Sequence, residues 1–156
     1  MQFSVNEIEA LLSKAARGGG APAGQASAFG KAGALHIARG FDAADVQGAL
    51  DALPGGPILS FPVQLTACLS QGGGAVECPK QDLLRSYANG LPYAVDETEA
   101  GFTIDTTRFE KVKLPARITV TSKMIDGWRA LAALTYVPET EQSRVGGAGA
   151  GLTDND

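Results

Sequence analysis

The sequence predicts an α+β fold: N-terminal helices, then a mostly antiparallel sheet, a further helix and an extended C-terminal arm. Three observations carry that expectation. Capped stretches with apolar residues at helical spacing fill the N-terminal third. Alternating segments between glycine-rich turns fill the middle, and helical spacing returns after residue 122.

Each element has a local reason. Ser4 and Glu7 form a capping box, in which each side chain satisfies an orphan backbone N–H. Ile8, Leu11, Leu12 and Ala15 then share one apolar stripe, and Gly18-Gly19-Gly20 ends the helix. Pro22 suits the first turn of a second helix running to about Arg39, with Gly40 beyond it. In that helix Gly24, Ala28 and Ala32 recur every fourth position, as do Ala26, Gly30 and Ala34. Such small faces let another element approach closely. Asp42 caps a third helix with Val46, Ala49, Leu50 and Leu53 as its stripe, and Pro54-Gly55-Gly56-Pro57 ends it.

Residues 58–71 and 75–79 flank Gly72-Gly73-Gly74 and read as strand, loop, strand. A symmetric hairpin there sets Cys68 opposite Cys78, two small buried hydrophobes. Residues 81–90 read as a short helix closed by Asn89-Gly90, and 93–114 as a hairpin turning at Glu99-Ala100-Gly101. Ile118 and Val120 lie on one face of a further strand. The segment 122–137 carries two signals: Asp126-Gly127 fits a tight hairpin turn, whereas Met124, Trp128, Leu131 and Thr135 repeat at helical spacing behind Thr121 or Ser122 as cap. The helix is the expectation taken. Residues 1–137 form one α+β domain and 138–156 a glycine-rich arm.

Composition narrows the function. A hydrophobic content of 44% with 19% charged residues fits a globular chain. The net charge of −4 argues against nucleic acid, whose binding depends on neutralising phosphates. Residues 1–40 nevertheless hold four basic and two acidic side chains, against nine and fifteen in the remainder. A mildly basic helical head on an acidic body can bind an anion or pair with another copy, or it is ordinary solvated charge. No apolar run approaches the roughly 20 residues of a membrane span, and the start lacks the pattern of a signal peptide. A cytoplasmic protein with two free thiols is therefore expected, with no membrane partner.

Chemical motifs are sparse. Two cysteines and one histidine do not make a usual zinc set, so no metal and no cofactor is expected. There is no G-x-S-x-G elbow. Gly30-Lys31 has Gln25 where a phosphate loop needs glycine, and Gly147-Ala148-Gly149-Ala150-Gly151 is not a dinucleotide fingerprint. His36, the single imidazole, shares a helix face with Gln25, Phe29 and Ala32, the setting of a packing residue. Any acid–base chemistry would fall to Glu7 or Glu9 with Lys14 and His36, and would need a carboxyl with a raised pKa. Arg17 ends the first helix, and Lys31 projects from the second. If the helices pair antiparallel, Arg17 lies near the start of the second, among its free N–H groups.

The stretches "NEIEALLSKAARGGG" (6–20), "GKA" (30–32) and "TYVPETEQSRVGGAGAGLTDND" (135–156) resemble a family of small bacterial proteins known as a domain of unknown function. The residues matching its pattern are Asn6, Glu7, Glu9, Lys14, Arg17, Gly18, Gly30, Lys31, Trp128, Tyr136, Pro138, Arg144 and the Gly-Ala tail. Ser27 and Ala28 stand where that family tends to show two glutamates, which weakens carboxylate catalysis. The resemblance implies no activity, substrate or cofactor.

The leading expectation is a protein binding a small anionic molecule, or an accessory subunit of a metabolic enzyme. Arg17 and Lys31 would be anion contacts, Arg144 a mobile clamp, and Asp154 and Asp156 polar closures. The alternatives are a metal-independent acid–base enzyme using Glu7 or Glu9, Lys14 and His36, and a homo-oligomer in which the arm docks on a neighbouring chain.

Overall fold

A computed structural model describes residues 1–78 and 80–135. The arm, with Arg144, Asp154 and Asp156, lies outside the described residues, as do Tyr136 and Pro138. In chain order the elements are β1 (Gln2–Ser4), α1 (Val5–Gly18), α2 (Ala23–Ala38), α3 (Ala43–Asp51), α4 (Pro57–Ser70), β2 (Gly73–Glu77), α5 (Asp82–Asn89), β3 (Tyr93–Thr98), β4 (Gly101–Phe109), β5 (Arg117–Thr119) and α6 (Ser122–Ala133). The fold is α+β.

The helix starts are set by their caps. Ser4 Oγ accepts the Glu7 N–H at 3.2 Å and the Glu7 carboxylate accepts the Ser4 N–H at 2.7 Å, completing the capping box. Asp42 accepts the Ala44 N–H at 2.9 Å to open α3, and Thr121 accepts the Met124 N–H to open α6. The segment after residue 122 is therefore the helix, with Asp126-Gly127 inside it.

Helices α1 and α2 lie antiparallel: Ser27 shares a groove with Ser13, and Leu35 shares one with Val5. Their small faces are used for this contact. A Cβ at Gly30 would stand 2.5 Å from the Glu9 carbonyl oxygen, and one at Gly33 would stand 2.7 Å from Leu12 Cδ1. Helix α6 covers the other side of α1 and buries Ile125 and Trp128 completely. The Trp128 indole N–H donates to Gln47 Oε1 at 2.9 Å, tying α6 to α3. Ile8, Leu12, Phe29, Ile58, Leu84 and Phe102 complete the fully buried centre.

Three expectations need correction. Residues 58–70 are helix α4, not a strand. Pro57 occupies the first helical position, where its missing N–H costs nothing, and Ile58, Phe61 and Leu65 bury one helical face. Pro62 removes one ladder bond, a loss outweighed by that burial. The Cys68–Cys78 hairpin pair consequently does not exist: Cys68 lies in the last turn of α4, Cys78 follows β2, and β2 pairs with β4. Finally, β4 stops at Phe109, so residues 110–116 carry no strand. Strand β1 pairs with β5, Phe3 opposite Ile118, a pairing that no local sequence signal announces.

The main sheet runs β2-β4-β3, all antiparallel, with the β3–β4 hairpin turning at Glu99-Ala100. On its outer face Asp105 accepts from the Thr107 hydroxyl at 2.6 Å, the Thr107 N–H at 2.9 Å and Arg108 Nε at 2.9 Å, while Arg108 also pairs with Asp96. The Thr107 bonds, reinforced by Arg108, lower the Asp105 carboxyl to about 2. An unfolded aspartate titrates near 4, so the unfolded state binds more protons between these values. Asp105 therefore adds stability that is full above about pH 4 and is lost as pH falls toward 2. Urea midpoints should fall less over that interval for Asp105→Asn than for the wild type.

Candidate functional site

Two hollows meet at Lys31. The first, about 390 Å³, lies between the α1–α2 pair and two loop segments, 89–92 and 111–114. Its apolar lining comes from Val5, Leu35, Leu91, Pro92, Val112 and Leu114, and its polar groups are Asn6, Glu9, Lys31, Asn89 and Lys111. The second, about 300 Å³, lies between α2, α4 and α5 and shares Lys31, Gly90 and Leu91 with the first.

Local structure explains this placement. Gly30 lets α2 close onto Glu9, so the next residue, Lys31, emerges beside Glu9 at the lip of the helix pair. The Lys31 stem passes over Gly90, the C-terminal cap of α5; a Cβ there would lie 3.7 Å from Lys31 Cε. Lys111 is held from the sheet side, because the Glu110 N–H donates to the Pro92 carbonyl at 3.2 Å and the Tyr93 and Phe109 rings pair at 5.7 Å. Among the described residues neither Lys31 nor Lys111 has a carboxylate within 4.0 Å. Val112 and Leu114 stay 37% and 44% exposed, leaving an apolar rim to the first hollow.

The other sequence-derived candidates fall elsewhere. Arg17 is exposed in the last turn of α1, eight residues from Glu9 and so about 12 Å along the helix from the part facing Lys31. Glu7 and Lys14 line a separate groove with Arg129, between α1 and α6. The Ser4 backbone N–H holds the Glu7 carboxyl below its ordinary range, the opposite of what an acid catalyst needs. Glu9, in the first hollow, is thus separated from Glu7 and Lys14.

His36 is fully buried. Its Nε2 faces two acceptors, the Asp42 carbonyl at 3.1 Å and Asp45 Oδ2 at 3.3 Å, so Nε2 carries a proton. Its Nδ1 meets the Ser86 hydroxyl at 2.9 Å, and Ser86 can also donate to the Asp82 carbonyl at 3.1 Å. Ser86, His36 and Asp45 thus follow the order of a nucleophile triad. However, Ser86 and His36 are both 0% exposed and neither lines any of the hollows described. The network joins α2, α3 and α5, with His36 and Ser86 in the interior, Asp45 half-exposed at the surface and Phe41 stacked on the imidazole at 5.0 Å. Among the described residues no group of three or more His, Cys, Asp or Glu side chains is placed to hold a metal. No helix among them is long and apolar enough to cross a membrane.

Sequence reasoning missed Lys111, Asn89, Leu91 and Tyr87. All four belong to segments whose position depends on how the sheet packs against the helices. The alternation of Lys111-Val112-Lys113-Leu114 read as the end of a strand, and nothing local marks it as a cleft wall.

Residues 3–50 match the model of a family described as "Protein of unknown function (DUF3726)". The matched stretch holds most of β1, all of α1 and α2 and nearly all of α3, and with them Glu9, Lys31 and Leu35 of the first hollow. It includes the stretches 6–20 and 30–32 of the sequence resemblance, whereas the third stretch, 135–156, lies outside it. No curated protein and no solved structure matches the chain.

Proposed function

We propose that this protein binds a small carboxylic acid with an apolar body in the hollow between the α1–α2 pair and residues 89–92 and 111–114. The observation carrying this reading is that Lys31 and Lys111, without carboxylate partners among the described residues, line a mostly apolar concavity. Ligand sites are commonly apolar concavities with a few convergent polar groups. Two lysines against Glu9 leave a lining charge of +1, which suits a monoanion better than a phosphorylated dianion. The amides of Asn6 and Asn89 supply hydrogen bonds that fix orientation. Chemistry is not part of the reading, because Glu7, Glu9, Lys14 and His36 are divided among different surroundings.

The test is a thermal shift with octanoate as the probe. At about 100 times its Kd a bound ligand stabilises the folded state by about 2.7 kcal/mol, or about 5–10 °C for a chain of this size. The wild type should show that shift, and Lys31→Met with Lys111→Met should lose it. An unshifted wild type at millimolar octanoate, or a full shift in the double variant, defeats the reading.

A further inference from the structure

We infer that the bound acid extends past Lys31, its apolar body entering the second hollow and carrying an oxygen that accepts a hydrogen bond from the Tyr87 hydroxyl. This rests on the reading of the first hollow and names the class of ligand: an amphipathic acid with a carbonyl or ether oxygen along its chain.

Three observations converge. The two hollows share Lys31, Gly90 and Leu91 as a common wall, and its Lys31 part is an aliphatic stem lying over a glycine. A flexible stem moves aside where backbone would not. The second hollow is apolar, with Ala28 and Ala32 leaving space on α2 and Pro62, Leu65 and Leu69 facing them from α4. Tyr87 lines this hollow at 6% exposure, its ring edge-on to Phe61 at 5.9 Å, and its hydroxyl is buried with no hydrogen-bond partner among the described residues.

A buried hydroxyl without a partner is uncommon and destabilising. Burial pushes the Tyr87 phenol far above its usual titration range, so it remains a neutral donor. The other hydroxyl of this lining, that of Thr66, donates to the Pro62 carbonyl at 2.8 Å. An oxygen delivered by a ligand supplies the missing acceptor.

Calorimetric titration of the whole protein with butanoate, octanoate and the isomeric oxo-octanoates tests this. Each methylene buried is worth roughly fourfold in affinity, so octanoate should bind on the order of 10²-fold more tightly than butanoate. Ala28→Leu fills the second hollow from a half-buried helix position, and should erase that gain while leaving butanoate binding unchanged. At least one oxo isomer should exceed octanoate by about three- to tenfold. Tyr87→Phe should remove that excess without lowering the melting temperature of the free protein, since it deletes an unsatisfied group.

If butanoate and octanoate bind equally and depend on Lys31, the first hollow is a site and the extension is wrong. If no oxo isomer exceeds octanoate, or if Tyr87→Phe keeps the excess, the Tyr87 assignment is wrong. A chain-length gain that survives Ala28→Leu also overturns the proposal. If neither acid binds, both readings fall together.

Discussion

Gly18→Ala should destabilise this protein by about 3 kcal/mol or more, although helix propensity alone predicts a gain of about 1 kcal/mol. Gly18 is the last residue of α1, and a Cβ there would stand 1.8 Å from the Leu131 carbonyl oxygen and 2.7 Å from its carbon. The obstacle is the backbone of α6, which has no rotamer by which to withdraw. Relief requires α6 to move away from α1 as a body, loosening Ile125, Trp128 and Ala132 together. Gly48→Ala provides the control. Gly48 is exposed in α3, and a methyl added there would meet nothing within 4 Å, so propensity acts alone and stability should rise by up to about 1 kcal/mol. Urea midpoints moving in opposite directions for the two substitutions support the packing account; a Gly18→Ala midpoint at or above that of the wild type refutes it.

Trp128→Ala should cost about 3–5 kcal/mol, the range for removing a fully buried large aromatic. The indole has no exposed surface and bonds to Gln47 across the α6–α3 junction, so truncation both opens a cavity and strands a partner. Against a total stability of roughly 5–15 kcal/mol this is a large fraction. Trp128→Phe keeps most of the ring volume and should cost clearly less. Far-ultraviolet circular dichroism during urea unfolding makes the comparison, since the fluorescence of the single tryptophan is lost in both variants. Equal midpoints for the alanine and phenylalanine variants would show that ring volume is not what holds α6.

Both residues also belong to the sequence resemblance, and the structure gives each a reason to be glycine or tryptophan that requires no ligand. What was legible in the sequence was local. Ser4, Asp42 and Thr121 cap helices because an Ncap oxygen has a fixed partner two or three residues ahead. The small residues of α2 announced close packing, and Gly30 and Gly33 deliver it against α1.

Helix α4 was misread because Ile58, Phe61 and Val63 are residues that strands favour, and Pro62 is out of place inside an ordinary helix. The burial of Ile58, Phe61 and Leu65 at helical spacing, behind a proline at the first position, decides the other way. The candidate site was half legible. Lys31 stood out beside Gly30, but its neighbours come from α5 and the chain after β4, whose arrival depends on tertiary packing. Arg17 is the other anion contact that the sequence suggests. The antiparallel offset instead places Glu9 opposite Lys31 and leaves Arg17 two turns away.

That contrast gives the most direct measurement of the central claim: octanoate affinity by calorimetry for the wild type, Lys31→Met and Arg17→Met. A charged contact contributes about 1.5–3 kcal/mol. The hollow at Lys31 therefore predicts at least about tenfold weaker binding for Lys31→Met and an unchanged Kd for Arg17→Met. Equal affinity in wild type and Lys31→Met, or a loss confined to Arg17→Met, would contradict it.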